Sequence, residues 1–130
     1  MMYEYINGGV SAYIYWNIVL PEGGESTWGW KQNSLVTVDV RSGRVNYTPE
    51  FYLLKHLSAF VEPGAVRVVL AGEWAGTAIG FENPGGEIVL LVNNPFERAR
   101  TCHVEAAGGA FKAALPARSF NTFVVGEDAH

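Results

Sequence analysis

Three of the four tryptophans of this chain lie in residues 11–33, SAYIYWNIVLPEGGESTWGWKQN. An aromatic, apolar run closes on Trp16-Asn17, and a Gly-rich loop carrying Trp28 and Trp30 follows. An indole face meets the C–H face of a pyranose well, because apolar area is buried while the sugar hydroxyls stay available for hydrogen bonds. Asn17 adds a donor and an acceptor able to order such a site. The chemistry these residues suggest is carbohydrate binding. A plainer role stands beside each. Trp16 could be core, Asn17 a strand-end turn former, and Trp28 and Trp30 could dock against neighbouring loops, since large apolar side chains seldom stay uncovered.

The elements that must position these residues fall into two textures. Residues 11–20 are almost all apolar or aromatic without alternation, which predicts a strand covered on both faces, as in a parallel barrel. The loop beyond the carboxyl end of such a strand is where a (β/α) barrel presents its binding face. Residues 35–40 and 44–47 flank Arg41-Ser42-Gly43 and predict a hairpin, with Gly43 placed for a positive φ. Thr48-Pro49-Glu50 then offers an N-cap, proline at the first helical position and an acid in the first turn. Leu53, Leu54, Leu57, Phe60 and Val61 continue at helical spacing until Glu62-Pro63-Gly64 stops the pattern. After Pro63 the chain changes to short strands at 65–71, 76–82, 87–93, 99–105, 111–115 and 119–125, separated by Gly and Pro. Asn83-Pro-Gly-Gly86 and Gly108-Gly109 read as turns, and residues 126–130 as a fraying end. The expectation is a mainly β chain. An antiparallel β-sandwich, residues 63–130, is preceded by a partial (β/α)8-barrel remnant of one strand, a hairpin and one helix in residues 1–62.

Composition bounds the partners. With 130 residues the chain is about half of what a complete barrel needs, so any barrel element is a piece. Hydrophobic residues at 48% and charged ones at 17% predict a packed core rather than disorder. A net charge of -4, with nine Lys and Arg scattered without a run, argues against nucleic acid and against an anionic membrane surface. No stretch approaches the roughly 20 apolar residues of a membrane span, and the N-terminus lacks signal-peptide character. The chain carries no address of its own. Opening on Tyr3-Glu-Tyr-Ile6 without a cap residue reads as entry in mid-helix, which hints at a segment upstream. Cys102 is the sole cysteine, so no intrachain disulfide forms and a structural thiol is expected. His103 and His130 have no partner at metal-ligand spacing, and neither metal nor cofactor is expected.

The string WNIVLPEGG, followed by TWGWKQNSLVTVD and YTPEFYLLKHLSAFVEPGAVRV, resembles the carboxyl-terminal part of glycoside hydrolase family 30, the group of glucosylceramidases, β-glucanases and xylanases. The resemblance covers residues 1–125 and is most specific at Trp16-Asn17, Gly23-Gly24, Asp39, Pro49, Tyr52, His56, Ser58, Phe60, Pro63, Gly64 and Arg67. It implies a (β/α)8 barrel with a sandwich fused to its side. On that map residues 1–8 are the end of helix seven, 11–19 strand eight, 48–61 helix eight, and 65 onward the sandwich. The family cleaves β-glycosidic bonds with retention, through two glutamates at the ends of strands four and seven. Both would lie upstream of Met1, so this chain alone is expected to be inactive. The resemblance also implies that Trp16 lines the floor of the glycone subsite and that the parent is secreted or periplasmic.

The carboxylates agree with that expectation. A retaining pair needs two carboxyls roughly 5 to 5.5 Å apart on rigid elements. Glu4 precedes the strand, Glu22 and Glu25 sit in a Gly-flanked loop, and Glu73, Glu82, Glu87 and Glu105 read as solvated sandwich residues. His56, in mid-helix, reads as a structural hydrogen-bonding residue between barrel piece and sandwich rather than a catalyst. Trp74, in a polar turn, reads as a cover for the sandwich end more than as a second sugar platform. Asn46-Tyr47-Thr48 matches a glycosylation acceptor, a pattern too short to carry weight. The expected partners are therefore a β-linked glycan or glycoside in the intact enzyme, the remainder of the barrel, and further copies of this chain through unpaired strand edges. A rival reading is a stand-alone carbohydrate-binding sandwich.

Overall fold

The computed structural model describes residues 2–106 and 109–126. Gly108, within the second predicted turn, and residues 127–130, with His130 and most of the predicted fraying end, lie outside them. Among the described residues the protein is mainly β, with nine strands and two α-helices. The chain divides into two units, Ser11–Lys55 and the stretches on either side of it.

In the larger unit β4 (Val66–Val68), β5 (Ala78–Glu82), β6 (Ile88–Asn94) and β9 (Ser119–Val125) form an antiparallel sheet in that order. β7 (Arg100–Ala106) and β8 (Gly109–Leu115) pair antiparallel as a separate ribbon. Between the two layers Ala78, Leu90, Val92, Cys102, Val104 and Leu115 are buried together, with Leu70, Trp74, Phe111 and Phe123 packed on them. Alternation places these residues: Cys102 and Val104 point inward while Thr101, His103 and Glu105 face solvent. β6 is buried on both faces. Its Val89 and Leu91 are as enclosed as its core-facing Leu90 and Val92, and α1 (Met2–Asn7), with Met2 and Ile6 buried, packs on its neighbour β5. The six strands predicted after Pro63 are all present. Asn83-Pro-Gly-Gly86 closes the β5–β6 hairpin, Gly86 N–H donating to the Asn83 carbonyl at 2.9 Å. Asn94, fully buried, brackets the β6–β7 and β8–β9 connections. Its amide nitrogen lies 3.0, 3.1 and 2.7 Å from the carbonyls of Arg98, Leu115 and Pro116, and its Oδ1 accepts the Phe96 N–H at 3.1 Å.

In the smaller unit β1 (Val19–Pro21) pairs parallel with β2 (Val36–Val38), which pairs antiparallel with β3 (Val45–Tyr47). The predicted hairpin is there. Gly43 has φ 72, and Asp39 closes the turn by accepting from Arg41 N–H at 2.9 Å and from the Ser42 hydroxyl at 2.6 Å. α2 (Pro49–Ser58) begins at Thr48, whose hydroxyl oxygen accepts the Phe51 N–H at 3.4 Å and donates to Ser34 and Leu35 carbonyls at 3.0 and 2.9 Å. It ends at Ser58, short of the predicted Val61. Phe60 and Val61 N–H groups both return to the Leu57 carbonyl, a tight last turn that Pro63 forbids from continuing.

The strand predicted over residues 11–20 needs correction. Only Val19–Pro21 belongs to a ladder. Residues 12–18 alternate in exposure, with Tyr13, Tyr15 and Asn17 half-buried and Ala12, Ile14, Trp16 and Ile18 open to solvent. Ile14 is 90% exposed. The uninterrupted apolar run that predicted cover on both faces has cover on one. A ladder also needs a neighbouring strand to pair its N–H and C=O groups, and among the described residues none runs beside residues 11–17.

Candidate functional site

Asn17 ends the open stretch with φ 69, a left-handed conformation that asparagine tolerates better than most residues. Its Nδ2 donates to Gln32 Oε1 and to the Asn33 carbonyl, each at 3.3 Å. This stretch is thereby tied to the far side of the tryptophan loop. Behind it, burial pushes the Tyr15 phenol up, with Glu50 and Tyr13 adding to the shift. Tyr47, Phe51 and Tyr52 form a compact aromatic cluster in the same unit, Tyr47 and Phe51 centroids 4.5 Å apart.

The loop between is a short hairpin. Glu25 and Lys31 form an antiparallel bridge, and Ser26 N–H donates to the Trp30 carbonyl at 2.9 Å. Gly29 N–H returns to the Ser26 carbonyl at 2.9 Å, closing a turn over Ser26-Thr27-Trp28-Gly29, and Gly29 at φ 74 lets the chain reverse. Ser26 Oγ accepts the N–H groups of Trp28 at 3.3 Å and of Trp30 at 3.2 Å. The two indoles stand 5.9 Å apart, centroid to centroid, at 36°. They remain 77% and 69% exposed, and Trp16 is 77% exposed. Such an arrangement offers aromatic faces with hydrogen-bonding groups nearby, which suits a ligand with apolar faces and polar edges.

Trp28 and Trp30 are thus brought together, Asn17 is joined to the end of their loop, and Trp16 stands in the bare row with Ile14 and Ile18. Ser26 and Gln32, which hold the arrangement, did not figure among the sequence-derived candidates. The signal for Ser26 was present, since serine at the first and glycine at the fourth position mark a turn. Gln32 had none.

The remaining candidates occupy ordinary positions. Glu22 accepts from Asn46 Nδ2 at 2.6 Å and lies 3.8 Å from Arg44. Glu73 binds Arg100 at 2.7 Å, and Glu97 binds Arg118. His56 Nδ1 lies 2.8 Å from Thr122 Oγ1 of β9, a contact within the larger unit. Trp74 packs on the sandwich core and meets Phe96 edge-on at 6.4 Å, so it covers the sandwich end. Cys102 is buried in the same core, and desolvation, with the Glu73 charge second, pushes its thiol up. No group of three or more His, Cys, Asp and Glu able to hold a metal occurs among the described residues. Nor is any described helix long and apolar enough to cross a membrane.

Comparison with known proteins finds relatives of the chain as a whole. Residues 64–123 match the glycosyl hydrolase family 30 beta sandwich domain. The chain is similar to an endo-1,6-beta-D-glucanase of Neurospora crassa, 30% identical over 96 residues that make up 68% of this chain and 20% of that protein. It is similar also to the lysosomal acid glucosylceramidase of Mus musculus, 27% identical over 122 residues, 88% of this chain and 23% of that one. Among solved structures, an endo-beta1,6-glucanase superposes with a TM-score of 0.83 at 25% identity, over 93% of this chain and 28% of its own. SrfJ from Salmonella typhimurium gives 0.76 at 28% identity, over 84% and 25%. The chain therefore spans between a fifth and 28% of the length of these relatives. The sandwich-domain match, the relatives and the superposed structures agree, and residues 64–123 of this chain are a glycosyl hydrolase family 30 beta sandwich domain.

Proposed function

We propose that this chain is the carboxyl-terminal part of a retaining β-glycosidase acting on β-glucosides, of glucosylceramide type or of β-glucan or xylan type. It supplies scaffold and one wall of the sugar site, formed by Trp16, Asn17, Trp28 and Trp30, and the catalytic glutamates are contributed from elsewhere in the enzyme. The observation that carries this reading is the pair of exposed indoles on a built hairpin, in a chain whose family hydrolyses glycosides. Glu22, Glu73 and Glu97 lie beside arginines at the surface, the positions of solvated side chains rather than of a carboxylate pair held across a scissile bond. Double displacement needs one carboxylate free to attack the anomeric carbon and a second to protonate the leaving oxygen. The bare Ile14 and Ile18 are what the remaining barrel would cover. In the isolated chain those side chains and the open edges of β1 and β4 favour self-association.

The test is enzymatic. The purified chain should not turn over an aryl β-glucoside, and robust turnover surviving controls for contaminants would overturn the assignment. Light scattering should show a dimer or larger species, and a clean monomer at high concentration would count against the bare-face reading. The indole pair also favours a second possibility, a stand-alone carbohydrate-binding module. That possibility requires saturable glycan binding by the isolated chain, lost in W28A or W30A, and a titration with β-glucans and xylans that shows no binding would reject it.

A further inference from the structure

We infer that Ser26 is a positioning residue, whose hydroxyl sets Trp28 and Trp30 as a single two-ring platform for carbohydrate. The inference rests on the sugar-binding reading above and deepens it. The backbone N–H groups of both indole-bearing residues end on one oxygen atom, Ser26 Oγ, at 3.3 and 3.2 Å. A hydroxyl oxygen has two lone pairs and can accept both. The same residue donates its own N–H to the Trp30 carbonyl and accepts the Gly29 N–H on its carbonyl, each at 2.9 Å. Every strut of the hairpin tip therefore passes through Ser26.

The rings show what the struts are for. Two indoles stacked face to face would each hide one face, yet these keep 77% and 69% of their surface open while their centroids are only 5.9 Å apart. Water does not favour so much exposed aromatic surface, and a free loop would fold the rings onto one another or onto the nearest apolar wall. Here the backbone holds them side by side at 36° instead. A platform with two fixed faces can meet consecutive sugar units without first paying to order the loop, which is how preorganisation raises affinity. The Thr27 side chain takes no part in these bonds, and the N–H groups on Ser26 Oγ lie at the surface, where water can replace the hydroxyl. Loss of the hydroxyl should therefore loosen the loop without unfolding the domain.

The experiment compares the full chain with S26A, S26T, W28A and W30A. Binding of soluble β-1,6-linked gluco-oligosaccharides is followed by titration calorimetry, and the exciton-coupled circular-dichroism band of the indole pair reports ring geometry. S26A should weaken binding about fivefold, the scale of one lost hydrogen bond or two weak ones, and should diminish the coupled band with an unchanged urea midpoint. S26T, which keeps the hydroxyl, should restore both. W28A and W30A should each abolish the band and most of the binding. If the chain takes no oligosaccharide, or binds it equally well as W28A and W30A, the sugar-binding reading fails. If W28A and W30A lose binding while S26A keeps full affinity, the platform stands and the role given to Ser26 is overturned.

Discussion

Replacing Asn94 by leucine is the sharpest test of how the sandwich is held. The side chain is fully buried and serves four backbone groups, three carbonyls and one N–H, at 2.7 to 3.1 Å. An amide carries two protons, so two of the three carbonyl contacts are satisfied at a time, and the Oδ1 contact with Phe96 N–H makes a third hydrogen bond. Leucine matches the volume and provides none of them. A buried group left without its partner costs about 1–3 kcal/mol. The connections beside Asn94 are exposed, so water can reach some of the orphaned groups, and the lower end applies to each: about 3 kcal/mol in all. For a domain of this size that corresponds to a fall in Tm of roughly 12 °C. Urea unfolding followed by far-ultraviolet circular dichroism should show a lower midpoint with an unchanged slope, since the surface exposed on unfolding is the same. Asn94→Asp should be worse than leucine at neutral pH, because it turns a carboxylate toward carbonyl oxygens. A loss below about 1 kcal/mol for the leucine variant would refute the bracket reading.

Three further outcomes follow from single positions. Gly80, opposite Val68 in the β4–β5 ladder, has room for no Cβ: one would meet Val68 Cγ2 at 2.7 Å and Leu70 Cδ2 at 3.0 Å. Gly80→Ala should therefore lose about 1–3 kcal/mol by overpacking, and an unchanged denaturation midpoint would contradict it. Asp39 is held below its ordinary value of 3.8, first by the Ser42 hydroxyl and then by the Arg41 N–H. Because the folded value is the lower one, its contribution is present above the ordinary value and is lost as pH falls through the depressed one. A carboxyl NMR titration should find that depression, and Ser42→Ala should relieve most of it. Cys102, buried with its thiol pushed up by desolvation, should resist a disulfide reagent in the native chain and react on unfolding. Rapid native labelling would show that the β7–β8 ribbon opens more readily than its packing implies.

The second half of the chain was legible because its signals are local. Alternation along residues 99–105 decides that Cys102 and Val104 face inward, and a two-residue period leaves no other choice once one face is buried. Asn83-Pro-Gly-Gly86 is a turn whatever surrounds it, and Thr48-Pro49 starts a helix for reasons contained in three residues. Residues 11–20 were legible only in part, for the opposite cause. Cover on both faces is a property of neighbours, and a run of apolar side chains states only what the segment would favour, not what lies beside it. The same holds for Gln32, which matters through a contact with Asn17, a residue 15 positions away.

What the order of amino acids determined alone is therefore the inventory: mainly β, an antiparallel sandwich after Pro63, a hairpin at Gly43 and a capped helix from Pro49. What tertiary structure decided is which groups meet. It set the indoles 5.9 Å apart through Ser26, made Asn94 a four-way bracket, gave β6 cover on both faces and left Ile14, Trp16 and Ile18 with cover on neither ring nor branch. Periodicity and turn chemistry act over a few residues and survive being read in one dimension, whereas burial and hydrogen-bond pairing between distant residues exist only once the chain has closed on itself.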